Sequence, residues 1–235
     1  MDRLTRVRRI AEFDKLRLKS NYWPWLAGLY ELEQFECGAA IVSQKFVITA
    51  AHCRSSLAFL KRFSSGHQSQ WTHLIFSNYL VTAGHTSRNL RDARKEKGFQ
   101  SFGVKKFYYH PKYDRKPNRF DILLIEIKPA QATYNNPANN FGWTFTKKVQ
   151  PLCISDKNDE KVLPRDHCFI TGWGLTSPGQ VRPEKGVQHA RVRVNDERCI
   201  NDPVESTYGS VLRDTLLCSV GYRKSNANAC EVGVG

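Results

Sequence analysis

Two short strings place ionisable side chains where a proton could be transferred. The first is VITAAHC (residues 47–53), in which an apolar stretch runs into two alanines, then His52 and Cys53. A histidine held at a fixed point suits a general base, because proton transfer requires hydrogen-bond contact with the reacting group. A lone histidine would more simply be a hydrogen-bonded residue of a β-core. The whole string favours the base, since the alanines allow a tight turn and Cys53 can pin the histidine.

The second string is FDILLIEI (residues 120–127), in which Asp121 precedes an unbroken apolar strand. A carboxylate at the mouth of a buried strand costs desolvation energy unless it is hydrogen-bonded. Accepting the N–H of an imidazole would satisfy it, fix the tautomer of that imidazole and stabilise the imidazolium. The alternative is an aspartate that starts a strand and makes a local turn, which is common in any sequence.

Short apolar strands separated by turns must position these residues. Val, Ile, Phe and Tyr are frequent in them, several alternate in polarity, and long stretches of helical period are nearly absent. This pattern predicts an all-β fold, a barrel or a sandwich. The segment 195–201 is a candidate short helix, 84–100 a polar loop, and 129–142 a loop that separates an N-terminal from a C-terminal half. The candidate strands are 26–32, 37–43, 45–50, 102–109, 121–127, 167–173, 189–194 and 214–220.

Length and composition limit the class of protein. The chain has 235 residues, of which 40% are apolar, enough for one large β-domain or two small ones that share a core. No run of 18 apolar residues is present, so we expect no membrane span. Residues 1–20 are charged and contain no apolar stretch typical of a signal peptide, which taken alone suggests a cytosolic protein.

The seven cysteines argue for an oxidising compartment instead. They form no Cys-x-x-Cys pair, and no histidine lies at metal-ligand spacing beside one, so we expect disulfides rather than a structural zinc site. No metal and no cofactor are expected. The odd number leaves at least one thiol to seek a partner outside this chain.

The net charge of +14 is concentrated in two stretches. Residues 1–20 carry seven Lys and Arg against three Asp and Glu, and residues 88–120 carry eleven against three. Such stretches can attract a polyanion, either an extracellular sulfated glycan or a nucleic acid. The simpler interpretation, which we favour, is a solvated loop and a cleavable leader, because no nucleic-acid-binding signature accompanies the charge.

Eight strings follow one another along the chain: WPWLAGLY, CGAAIVS, VITAAHC, HPKYD, FDILLIEI, VQPLC, CFITGWG and LLCSVGY. This ordered set resembles the chymotrypsin family of trypsin-like serine proteases over about residues 23–230. The resemblance implies a double β-barrel of two six-stranded barrels, the first at about 21–130 and a partial second at about 140–235, after a basic leader or activation segment at 1–20. The chain order of the family, His then Asp then Ser, implies that His52 is the base and Asp121 its orienting partner.

The third catalytic member is expected after Cys230, where the family has Gly-Asp-Ser-Gly-Gly beyond one variable residue. Aligned without gaps, this chain has Val234 at the serine position and Gly233 at the preceding aspartate. We therefore expect the chain as written to lack its nucleophile and to be truncated at its C-terminus. Asn228 falls at the base of the primary specificity pocket, where its neutral amide puts a strict preference for Arg or Lys in doubt.

The family also implies the cysteine pairs. Cys37 would pair with Cys53, and Cys199 with Cys218. Cys168 and Cys230 would pair with cysteines beyond residue 235, and Cys153 with an upstream light chain or propeptide. At the other end Arg9 and Ile10 offer an imperfect match to a zymogen activation site.

The resemblance implies a secreted serine endopeptidase in the full-length form, made as a zymogen and acting on proteins or peptides. The alternative is a non-catalytic protease homologue that binds partners through its basic loops. A cytosolic structural protein is disfavoured by the layout of the cysteines.

Overall fold

A computed structural model describes residues 23–54, 76–114, 119–128, 142–154, 167–174, 186–194 and 219–221. These residues fall into two compact units, one from 23 to 154 and the other from 167 to 221. Nearly all of the described elements are β-strands, which confirms the all-β prediction. No helix among the described residues has the length and apolar character needed to cross a membrane.

The first unit is a closed six-stranded barrel. Its strand order is β1-β2-β3-β6-β5-β4, and every pairing is antiparallel. Five of the strands coincide with the apolar segments singled out in the sequence, and β4 is the one that was not predicted. The strands are β1 (Leu26–Glu31), β2 (Gln34–Ile41), β3 (Phe46–Thr49), β4 (Tyr79–Ala83), β5 (Gln100–Tyr109) and β6 (Leu123–Ile127).

The barrel encloses one apolar core. Alternate residues of β6 point inward, so that Leu123, Ile125 and Ile127 are buried while their neighbours are partly exposed. Val47 and Val104 face them from β3 and β5 with no exposed surface. Because side chains alternate along a strand, a slip of one residue would turn this whole set toward solvent, and the core therefore specifies the register.

Residues 142–154 pack against this barrel. The Trp143 ring is fully buried and makes an edge-to-face contact with Phe102, at a centroid distance of 4.7 Å. Further along, the Gln150 N–H donates to the Pro24 carbonyl (2.9 Å) and the Leu152 N–H donates to the Ile41 carbonyl (2.7 Å). The Trp143 indole therefore packs into the core at one end of the barrel, and residues 142–154 form a strap along the barrel.

Two glycines permit close backbone approaches at this end. Gly84 has φ 77°, and a Cβ there would lie 2.1 Å from the Gly98 carbonyl oxygen. Gly142 has φ 112°, and a Cβ there would lie 2.0 Å from the Gln44 carbonyl oxygen. Both positions combine a left-handed conformation with a steric clash, so only glycine fits.

The hairpin between β4 and β5 contains the short helix α1 (Leu90–Ala93), capped by the side chain of Asn89. The Glu96 carboxylate accepts hydrogen bonds from the backbone N–H groups of Thr86 and Ser87 (2.8–3.0 Å). His85 is buried beneath this turn with 4% of its surface exposed. The segment predicted to be a polar loop is thus a structured hairpin, held by side chains that bond to its own backbone.

His85 is held as a neutral imidazole. Its Nδ1 lies 2.8 Å from the Ser87 carbonyl, which can only accept, so Nδ1 carries the proton. Nε2 then accepts from the Thr82 hydroxyl at 2.7 Å. Burial lowers the pKa of His85 below its usual 6.5, against the opposing effects of the Ser87 carbonyl and the Glu96 carboxylate.

The second unit contributes a three-stranded antiparallel sheet in its described part. The strands are β7 (His167–Gly172), β8 (Gln188–Val194) and β9 (Ser219–Gly221), in the order β7-β8-β9. The first two match their predicted segments. Only the end of the predicted strand 214–220 and the last residue of the predicted loop 129–142 are described, and the candidate helix 195–201 lies outside the described residues.

Gly84→Ala should lower the free energy of unfolding by about 3 kcal/mol or more, because the new methyl group meets the Gly98 carbonyl and the residue has positive φ. Gly38→Ala is the matched control, since nothing lies within 4 Å of a Cβ at that position. It should change stability by less than about 1 kcal/mol. Urea denaturation of the three proteins measures both values, and equal losses in the two variants would contradict the close approach.

The lowered pKa of His85 predicts a loss of stability in acid. Below pH 6.5 the unfolded chain binds a proton at this histidine before the folded chain does, so the free energy of unfolding falls as the pH falls. Well above pH 6.5 the group is neutral in both states and contributes no slope. Denaturation curves between pH 5 and 8 should show this slope, and His85→Gln should remove it while the control His110→Gln retains it. An unchanged slope in His85→Gln would contradict the assignment.

Candidate active site

His52 lies in a single 3-10 turn, Ala51–Cys53, directly after β3. The Cys53 N–H donates to the Ala50 carbonyl and the Arg54 N–H donates to the Ala51 carbonyl, both at 3.3 Å. Ala51 is buried, so a larger side chain there would displace the turn. The small residues noted in the sequence therefore allow the chain to turn sharply at the mouth of the barrel.

A disulfide joins Cys37 of β2 to Cys53, with a Cα–Cα distance of 5.9 Å. This is the pair that the family resemblance implies. Both cysteines are buried, and the Thr49 hydroxyl points to the Cys53 sulfur at 3.7 Å. A crosslink over 16 residues contributes about 3 kcal/mol by restricting the unfolded chain, and it anchors the residue that follows His52.

Asp121 grips His52 through both of its carboxylate oxygens. Oδ1 accepts the backbone N–H of His52 at 2.8 Å, and Oδ2 lies 2.5 Å from the ring Nδ1. The side chains are 33% and 23% exposed, respectively. A carboxylate accepts rather than donates, so Nδ1 carries the proton and Nε2 is left as the basic nitrogen. The structure thus brings together the two residues that the sequence proposed as a pair.

The backbone before Asp121 adopts an unusual conformation. Phe120 has φ 52°, in the left-handed region that is costly for a non-glycine residue. Its ring stacks on His110 with a centroid distance of 4.8 Å and an interplanar angle of 7°. Around it the Ile122 N–H donates to the Phe120 carbonyl (2.8 Å) and the His110 N–H to the Ile122 carbonyl (3.2 Å). These contacts hold a tight bend that presents the Asp121 carboxylate to His52.

Arg54, which sequence reasoning missed, is a buried cation beside the histidine turn. Its guanidinium lies 4.5 Å from the centroid of the Phe107 ring, and Nη1 donates to the Tyr109 hydroxyl at 3.1 Å. The Phe76 ring is 5.7 Å away. Guanidinium–aromatic contacts of this kind stabilise a desolvated cation, so the Arg54 side chain ties the chain directly after Cys53 to β5. Nothing in the sequence marks it, since an arginine after a cysteine is typical of the surface.

The remaining site residues proposed from the sequence lie outside the described residues. They are Val234, Asn228, Cys199, Cys218 and Cys230, together with Arg9 and Ile10. Among the described cysteines, Cys153 and Cys168 form no disulfide, and Cys153 is exposed.

One group among the described residues could hold a metal ion by distance alone. Ligand atoms of Cys37, His52 and Cys53 lie within 4.8 Å of one another. Both sulfurs are taken up by the disulfide, and a metal needs the thiolate form of cysteine. The oxidised group therefore offers a single histidine nitrogen, and the arrangement suits proton transfer rather than metal binding.

Comparison with known proteins agrees with this geometry. The family model described as Trypsin matches residues 16–73 and 72–232 of the chain. Kallikrein-11 of Mus musculus is 24% identical over 212 residues, which are 88% of this chain and 60% of the kallikrein. Coagulation factor XI of Bos taurus is 23% identical over 212 residues, 89% of this chain and 28% of the factor. The chain thus spans 60% or less of the length of these two relatives.

Solved structures show the same fold. A mutant of human heparin binding protein aligns with a TM-score of 0.61 at 20% identity, over 92% of this chain and 75% of that one. Neuropsin, a serine protease expressed in the limbic system of mouse brain, aligns with a TM-score of 0.59 at 21% identity, over 92% and 77%. With the family match extending over most of its length, the chain belongs to the trypsin family of serine-type endopeptidases and has the chymotrypsin-like fold.

Proposed function

We propose that this chain is the protease domain of a secreted serine endopeptidase, in which His52 is the general base and Asp121 orients it. The observation that carries the proposal is that both oxygens of the Asp121 carboxylate contact His52, at 2.8 Å to the backbone nitrogen and 2.5 Å to Nδ1. These two contacts fix the imidazole ring and leave Nε2 to accept a proton from a serine hydroxyl. The disulfide supports an oxidising, extracellular location.

The proposed reaction proceeds through an acyl-enzyme. A serine Oγ would attack the scissile carbonyl while its proton passes to Nε2 of His52, which later protonates the leaving amine. Backbone N–H groups after Cys230 would bind the oxyanion. Val234 stands where the family has this serine, and its side chain has no group that can attack a carbonyl. We therefore assign catalysis to a form of the protein in which Gly-Asp-Ser follows Cys230.

The finer assignments belong to the same proposal. Residues 1–20 are a leader or activation segment, and 21–235 form the protease domain. Asn228 at the base of the specificity pocket favours an uncharged or mixed preference for the substrate side chain. Cys153 would bond to an upstream light chain, which its exposed thiol would permit.

A second candidate function is a non-catalytic homologue that binds partners through basic surfaces. The net charge of +14 favours it, as does the structural similarity to a protein whose name states that it binds heparin. The two candidates differ in the transcript beyond codon 231. A Gly-Asp-Ser continuation supports the enzyme, and a stop directly after the Val-Gly-Val-Gly tail supports the binding protein.

The 235-residue polypeptide should hydrolyse neither peptide nor ester substrates, because it lacks an activated oxygen nucleophile. Loss of the nucleophile alone lowers turnover by about 10⁶ in a Ser-His-Asp enzyme. The purified chain, incubated with a serine-directed phosphonate, should show no adduct by mass spectrometry. Ser225 lies five residues before Cys230 in the sequence. Stoichiometric labelling that disappears in Ser225→Ala would show that the nucleophile has been misplaced.

In a form that contains the serine, Asp121→Asn should lower kcat by about 10⁴, because the amide favours the wrong imidazole tautomer. Asp92→Asn is the matched control, since that carboxylate is exposed and pairs only with Lys95 among the described residues. Its kcat should equal that of the parent protein. Ester hydrolysis near neutral pH measures both, and a similar kcat for Asp121→Asn and Asp92→Asn would contradict the role assigned to Asp121.

A further inference from the structure

Five lysines gather at the end of the first barrel where β3 and β5 begin and β6 ends. We call this surface the lysine end; it consists of Lys45, Lys97, Lys128, Lys147 and Lys148. Three of them are exposed, and Lys128 and Lys148 are partly exposed. Of the five, only Lys97 lies in the basic stretch at 88–120. The fold brings the other four lysines together from three separate segments of the chain.

Backbone hydrogen bonds bring the first segments together. The Ile127 N–H donates to the Lys45 carbonyl (3.0 Å), which places the end of β6 beside the turn before β3. The Lys128 N–H donates to the Gly103 carbonyl (2.8 Å), and the Lys128 Cδ passes within 3.5 Å of the Cβ position of that glycine. Lys45 and Lys128 therefore emerge from adjacent strands at the same end of the barrel.

The other three lysines join through the strap 142–154. The Trp143 N–H donates to the Gln44 carbonyl at 2.9 Å, next to Lys45. The Gln100 side chain bonds twice to the Thr144 backbone, at 2.8 and 2.9 Å. The Lys148 ammonium donates to the Lys97 carbonyl at 2.5 Å. Lys97, Lys147 and Lys148 thus lie at the same end of the barrel as Lys45 and Lys128.

The positive charge of the lysine end is not neutralised among the described residues. None of its five lysines forms an ion pair there, and residues 129–154 contain no Asp or Glu. Glu126, the nearest carboxylate on β6, bonds to the Lys105 ammonium (2.6 Å) and the Tyr108 hydroxyl (2.8 Å), which hold its pKa below the usual value. Elsewhere in the hairpin at 84–99, Arg94 and Lys95 are paired with Glu33 and Asp92.

We propose that the lysine end binds a linear sulfated polysaccharide. Lysine ammonium groups are point charges on flexible stems, and they suit sulfate groups spaced along a chain. The disulfide points to a compartment where the polyanions are glycans.

The location leaves the catalytic pair accessible. Lys45 precedes β3 and His52 follows it, while Asp121 precedes β6 and Lys128 follows it. A glycan on the lysine end would therefore occupy the opposite end of the barrel from His52 and Asp121. Glycan binding at the lysine end is separate from the proposed proteolysis and does not require the catalytic serine. Its test therefore gives a result that is independent of the proposed protease activity.

The test compares two triple variants of the full chain on immobilised heparin. Lys45→Glu, Lys128→Glu and Lys147→Glu together alter the lysine end, and Arg91→Glu, Lys95→Glu and Lys112→Glu make the same change of charge in the basic stretch at 88–120. At 0.15 M salt, where charges beyond about 8 Å are screened, the first should weaken binding at least about tenfold and the second less than about threefold. Equal losses, or a larger loss in the second triple, would overturn the proposal.

Lysine footprinting checks the site without substitutions. The parent chain, acylated with a succinimidyl ester with and without a heparin fragment, should show protection of Lys45, Lys128 and Lys147 and none of Lys112. Duplex DNA and phosphatidylserine vesicles of matched charge should bind at least about tenfold more weakly than heparin at the same salt. Protection spread evenly over all lysines, or equal affinity for DNA or vesicles, would show general attraction to anions and overturn the assignment.

Discussion

The pairing of β3 with β6 closes the barrel, and the position of every proposed catalytic atom depends on it. In this register Thr49 lies opposite Leu123 and Phe46 opposite Glu126. His52 begins just beyond one end of the pair and Asp121 just before it, so two residues 69 positions apart meet at 2.5 Å. Joining distant segments costs conformational entropy, which the burial of the barrel core must offset. A shift of one residue would expose Val47 and Ile125 and would separate the two side chains as well.

Much of this arrangement could be predicted from the sequence. Apolar runs indicate most of the strands, and the strings VITAAHC and FDILLIEI indicate the histidine and the aspartate. The 10-residue β5 and the antiparallel β7–β8 pair follow their patterns closely. Strand β4 was missed because its five residues merge with the glycine and histidine of a polar hairpin, and only pairing with β1 and β5 makes it a strand. The burial of Trp143 and Arg54 could not be predicted either, since their partners are distant in sequence.

Arg54 acquires its contacts only in the folded barrel. Its aromatic neighbours come from the chain before β4 and from β5, and they converge only when the barrel closes. The buried guanidinium contacts the faces of these rings and donates to one hydroxyl, which restrains the chain directly after the disulfide. The turn that carries His52 is therefore fixed on one side by the Cys37–Cys53 bond, on the other by Arg54, and across the barrel mouth by Asp121. Three restraints of different chemistry reduce the freedom of one imidazole.

The same strands that join His52 to Asp121 also separate them from the lysine end. Seven residue steps of nearly extended chain separate Asp121 from Lys128, roughly 23 Å at about 3.3 Å per residue. Exposed charges interact weakly beyond about 8 Å at physiological ionic strength. A bound polyanion would then interact only weakly with His52 and Asp121. Binding at that end would instead concentrate the protein on a glycan-bearing surface while the opposite mouth of the barrel stayed open to a polypeptide.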